Sequence, residues 1–94
     1  MRTLITSLII LLSISTSAQT VINGKVTNNK GVPIEGANVY LEGTYDGSTT
    51  DNEGKFSFTT SETSSQTLLV SYVSYETFTM VADVSFMKNL DIKL

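Results

Sequence analysis

From Thr20 onward apolar and polar positions alternate in short runs broken by clusters of Gly, Asn and Asp, and no window carries the roughly 3.6-residue rhythm of an amphipathic helix. Successive side chains of a strand point to opposite faces. In TVINGKVTN, residues 20–28, Ile22, Gly24 and Val26 therefore share one face, and Asn23, Lys25 and Thr27 the other, as in a half-buried strand. NNKGVPIEG follows, with Pro33 beside Gly31 and Gly36. Proline removes a ladder donor and glycine permits positive φ, so this stretch reads as a turn. ANVYLE is the second strand, with Ala37, Val39 and Leu41 inward and Asn38, Tyr40 and Glu42 outward. A short strand over Ser48 to Thr50 precedes Asp51-Asn52-Glu53-Gly54, whose turn formers stand in the order that suits a tight hairpin. Lys55 to Thr60 leaves that turn with Phe56 and Phe58 on one face.

The polar loop SETSSQ delivers the most apolar run of this region, LLVSYV, which predicts a central strand covered on both faces or buried at a sheet junction. Tyr75 to Val81 alternates again, with Phe78 and Met80 opposite Thr77 and Thr79. NLDIKL closes the pattern with Leu90, Ile92 and Leu94 inward and Asp91 and Lys93 outward. Short strands separated by turn signals at this spacing, with no helical segment between them, predict an all-β fold, a seven-stranded β-sandwich.

The first eighteen residues, MRTLITSLIILLSISTSA, stand apart from this pattern. Arg2 supplies a positive start, Leu4 to Ile14 an almost unbroken apolar run, and Thr16-Ser17-Ala18 a small-residue cleavage site, which together read as a secretory signal peptide. A bilayer-spanning helix needs about 20 apolar residues, so a retained anchor is the poorer account. Residues 1–18 are thus expected to be removed and residues 19–94 to form one domain, exported through the inner membrane, with no membrane-spanning segment of its own. A domain of this size buries only about 60% of its unfolded surface, and it has no cysteine with which to add disulfides. Packing alone must hold it together.

Past residue 18 there is no Arg, His, Cys or Trp, and five lysines face nine carboxylates. Without a basic cluster, nucleic acid is excluded as a partner, since phosphate contacts supply most of such binding. Histidine- or cysteine-dependent catalysis and zinc ligation by those residues are excluded too. A carboxylate pair remains, but Asp51 and Glu53 lie on a polar turn with nothing to drive their pKa values apart. No catalytic residue and no cofactor is expected.

The stretch TYDGSTTDNEGKF, residues 44–56, offers oxygen ligands in Asp46, Ser48, Thr49, Asp51, Asn52 and Glu53, and calcium takes about six to eight oxygens. Asp46, Asp51 and Glu53 are the calcium candidates. The spacing is not that of an EF-hand loop, and Asx and Gly residues also serve turn geometry, which is the preferred reading. Tyr40, Tyr45, Tyr72 and Tyr75 could present an aromatic patch to a glycan or peptide, or pack as strand residues with wet hydroxyls. Lys25, with Asn and Glu residues near it, is a remote candidate for an intramolecular isopeptide link.

Several short motifs recur in a fixed order: G-x-V at Gly24 to Val26, G-x-P-x-x-G-A-x-V from Gly31 to Val39, G-T at Gly43-Thr44, T-D-x-x-G-x-F from Thr50 to Phe56, and S-Y-x-x-Y-E from Ser71 to Glu76. In this order, and closed by LDIKL, they make the chain from about Val21 to Leu94 resemble the carboxypeptidase regulatory-like domain, also called the carboxypeptidase D regulatory-like domain. Ser74 departs from the pattern, standing where the family commonly has glycine. The resemblance implies a transthyretin-like (prealbumin-like) Greek-key β-sandwich. It also implies an accessory role without peptidase chemistry, of the kind found in the periplasm at the amino terminus of TonB-dependent outer-membrane receptors. There such a domain precedes the plug and the β-barrel. The partner implied is a protein, either the receptor's own plug and barrel or another envelope component. The alternative is a freestanding cell-surface module that binds glycan or calcium.

Overall fold

The computed structural model describes residues 19–94, so the signal-peptide reading of residues 1–18 lies outside the described residues. The strands are β1 (Thr20–Thr27), β2 (Asn38–Leu41), β3 (Gly47–Thr49), β4 (Lys55–Thr60), β5 (Ser65–Ser71), β6 (Phe78–Asp83) and β7 (Leu90–Lys93). They form two sheets, ordered β4-β1-β7 and β3-β2-β5-β6. The only parallel pair among them is β1 with β7. Alternation puts Ile22, Val26, Phe56, Phe58 and Ile92 of the first sheet against Val39, Leu41, Leu68 and Val70 of the second, in one buried cluster. The all-β sandwich predicted from periodicity is what the chain forms.

The segment 50–54 departs from the predicted hairpin. Its turn is tight, but β3 pairs with β2 and β4 pairs with β1, so the turn carries the chain from one sheet to the other. The bend is the one its residues predict and its destination is not, because turn residues fix the bend and not the partner of the strand that follows.

LLVSYV also needs correction. The strand runs Ser65–Ser71, starting inside the stretch read as loop, and buries Leu68 and Val70 on one face only. β5 is central within its sheet, between β2 and β6. Nothing among the described residues covers the outer face, and Leu69 there is half-buried beside Tyr40 and Thr79. Tyr72 and Val73 lie beyond the strand's end and are exposed. The sixth strand begins at Phe78, later than predicted, and the third is shifted back by one residue to Gly47.

Between β6 and β7 the chain makes a short 3-10 turn over Val84–Phe86 that the pattern did not announce. Val84 and Met87 are buried there, Met87 completely, and the Met87 carbonyl accepts the Asn23 amide at 3.2 Å. A single turn carries too few residues for a period to show.

Candidate functional site

The stretch 44–56 divides into two unconnected pieces. At its start, the Thr44 hydroxyl donates to the Leu41 carbonyl at 2.9 Å and accepts the Asp46 amide at 3.0 Å, shaping the β2–β3 hairpin. Asp46 then accepts a 2.6 Å hydrogen bond from the Thr60 hydroxyl at the far end of β4. Thr60 is buried, so this contact ties the two sheets together along one side.

At its other end, Asp51 Oδ1 accepts the amides of Glu53 and Lys55, each at 2.9 Å. The Asp51 amide bonds the Lys55 carbonyl and the Gly54 amide the Asp51 carbonyl, completing the turn. The amide of Lys55 foremost, then that of Glu53, holds the Asp51 carboxyl below the ordinary aspartate value. Glu53 pairs with Lys55 Nζ at 3.2 Å in full solvent, where such a contact contributes little.

The partners of Asp46 and Asp51, Thr60 and Lys55, stand at opposite ends of β4, five residue steps apart. At about 3.3 Å per residue the two carboxylates are anchored roughly 16 Å apart along the strand. The calcium candidates Asp46, Asp51 and Glu53 are therefore not brought together, and Asp46 and Asp51 each have an oxygen engaged within the fold. Among the described residues no three acidic, histidine or cysteine side chains gather closely enough to hold a metal ion.

What the structure does bring together is the set of motif residues. Thr50 donates its hydroxyl to the Ile34 carbonyl at 2.6 Å and accepts the Ala37 amide at 2.9 Å. Its backbone bonds the same segment, the Thr50 amide to the Ala37 carbonyl and the Gly36 amide to the Thr50 carbonyl. T-D-x-x-G-x-F thus clasps G-x-P-x-x-G-A-x-V by four hydrogen bonds through one buried threonine. Gly54, at φ +77°, lies against the Val26 carbonyl and 3.3 Å from Pro33 when a β-carbon is placed on it, so only glycine fits. Val26 in turn bonds both the Gly54 carbonyl and the Ile34 amide. The signal that could have revealed this clasp in the sequence was the spacing of the motifs, not their acidity.

The remaining candidates separate in the same way. Tyr72 and Tyr75 sit together with ring centroids 6.1 Å apart, while Tyr40 lies on the outer face of β2 and Tyr45 is fully exposed in the β2–β3 loop, at the opposite end of the sheet. No four-tyrosine patch forms. Lys25 is exposed, with Lys55 opposite it on one side and Asp91 on the other, and so lacks the enclosure an isopeptide link requires. An open groove of about 580 Å³ runs over this polar outer face, past Asn23, Lys25, Asp51, Lys55 and Ser57. No helix among the described residues is long and apolar enough to cross a membrane.

Known proteins resemble the chain in both sequence and fold. Over 62 residues, 65% of its length, the chain is 40% identical to a TonB-dependent receptor of Formosa agariphila, of which it spans only 6%. Among solved structures it resembles a chain in two interface mutants of a type II cohesin–X-dockerin complex from Acetivibrio cellulolyticus. The TM-scores are 0.60 and 0.58 at 22% and 23% identity, covering 79% of this chain and 51% of that one. At such identity the likeness is one of fold. The model of the CarboxypepD_reg-like domain matches residues 22–94, a span holding every residue of the Thr50 clasp, and the chain belongs to that carboxypeptidase regulatory-like family.

Proposed function

We propose that this chain is a non-enzymatic, exported accessory domain of the kind that extends TonB-dependent outer-membrane receptors at their amino terminus, working in the periplasm as a protein-interaction or structural module. The observation that carries this reading is the 40% identity to such a receptor. Membership of the carboxypeptidase regulatory-like family supports an accessory role. The sheet order β4-β1-β7 against β3-β2-β5-β6, with four crossings between sheets, supports a transthyretin-like Greek-key arrangement. Rigid sheets holding exposed edges and loops suit a domain that meets other proteins.

Export is the first requirement. Fused ahead of an alkaline phosphatase that is active only outside the cytoplasm, residues 1–94 should confer activity, with a mature terminus at Gln19 by mass spectrometry. Phosphatase that stays inactive would overturn the reading. The ligand-binding alternative is tested by calorimetry of residues 19–94 with calcium and a panel of oligosaccharides. No heat is expected, and saturable binding abolished by Asp51→Ala would replace the proposal with a freestanding binding module.

A further inference from the structure

Among the described residues four strands form sheet edges, and three of them are short, charged or engaged at their ends. β3 has only three residues. At β4 the amide and carbonyl of Lys55 are both taken by Asp51, and Thr60 is tied to Asp46. β7 has four residues, two of them the charged Asp91 and Lys93. Short length, charge and cover are the usual devices that keep an edge from pairing with another chain.

β6 is six residues long and carries its one charge, Asp83, at its last position. From Thr77 to Ala82 it reads TFTMVA, without charge, proline or glycine, a composition that favours strand pairing. The Val84 amide donates to the Ser64 carbonyl at 3.2 Å, which fixes the alternation of the β5–β6 ladder. Phe78, Met80 and Ala82 bond β5, so the backbone groups of Thr79, Val81 and Asp83 point to the open edge. The side of the sandwich below them is also incompletely closed. Phe78, Met80 and Ala82 of β6, with Leu90 and Leu94 at β7, are the hydrophobics that pack on the core while remaining partly exposed.

We infer that β6 is a self-association edge, on which a second copy of this chain adds its own β6 antiparallel to continue the four-stranded sheet across a two-fold axis. The strand best suited to this edge has an apolar inner face and a β-branched outer face, and β6 itself has both. With the axis at Met80, Thr79 opposes Val81 of the second copy through the free backbone groups, and Phe78 opposes Ala82, large against small. Asp83 then meets Thr77, so the strand's one carboxylate does not face its own duplicate. The half-buried inner faces of the two copies become continuous, and the pairing is isologous and closed. This inference does not depend on the export or receptor reading.

The test is sedimentation equilibrium of residues 19–94, which contain the whole of the core described above, over a range of protein concentrations. A reversible dimer is expected, with the amides of Thr79, Val81 and Asp83 gaining hydrogen-exchange protection as concentration rises. Val81→Pro removes a donor that the monomer does not use and should abolish the dimer while the far-UV circular dichroism is kept. Val81→Lys, at a residue already 67% exposed, provides a second disruption without backbone change. It should weaken the dimer by about tenfold, because both Val81–Thr79 cross-strand pairs of the two-fold interface are lost. Wild-type protein monomeric at every concentration, or a dimer indifferent to Val81→Lys, would overturn the inference. So would edge amides that become protected only on adding an unrelated extended peptide, which would assign the edge to a partner's strand.

Discussion

Thr50 shows how much one side chain can organise in a small domain. It is 4% exposed, and its hydroxyl serves a carbonyl and an amide of the Ile34–Ala37 segment that have no other side-chain partner. Thr50→Val keeps the shape and removes the hydroxyl, leaving both groups buried and unpaired. Urea denaturation should show a loss of about 1–3 kcal/mol, and an unchanged midpoint would mean that the clasp is not structural. Ser74 gives the opposite case. The glycine-like turn implied by the family pattern is retained with serine at φ +75°, a region costly for residues with a β-carbon. Ser74→Gly should therefore stabilise the domain by about 0.5–1 kcal/mol, the strain relieved exceeding the entropy that glycine adds to the unfolded chain. A lower melting temperature would contradict this. The serine and its departure were visible in the sequence; that the backbone bends the same way despite it was not.

At the scale of elements, two aspartates cap their own turns. Asp51 holds the crossing between β3 and β4, and Asp83 accepts the Ser85 amide and hydroxyl at the start of the 3-10 turn. Both carboxyls are held below the ordinary aspartate value, Asp51 chiefly by the Lys55 amide and Asp83 by the Ser85 amide and then its hydroxyl. A pKa lower in the folded state means that the stabilisation is fully present above the unfolded value, about 3.9, and is lost as pH falls through the lower folded value. The urea midpoint of wild-type protein should accordingly fall below about pH 4. Asn in place of Asp51 can still accept both amides but does not titrate, so Asp51→Asn should flatten that fall, and adding Asp83→Asn should flatten it further. An identical pH profile for wild type and both variants would refute the assignment. The turn at residues 51–54 was legible from its residue types. Its role as a passage between sheets was not, because the partner of β4 is β1, far away in sequence.

For the whole molecule, one buried cluster joins both sheets, and no disulfide divides or reinforces it. Residues 19–94 should therefore unfold as a single cooperative unit, with tyrosine fluorescence and far-UV circular dichroism following the same urea transition. Separated transitions would mean that the two sheets melt independently. The sequence by itself determined the all-β class, the inward faces of β1, β2, β4 and β7, and the family, because strand alternation and turn chemistry are local and leave their record in neighbouring residues. Tertiary structure alone decided which strands pair, that the outer face of β5 lies open, that Asp46 and Asp51 are held a strand's length apart, and that β6 is left as a bare edge. Those outcomes depend on contacts between residues distant along the chain, and an acidic residue reads the same in sequence whether it gathers with others around an ion or caps a turn alone.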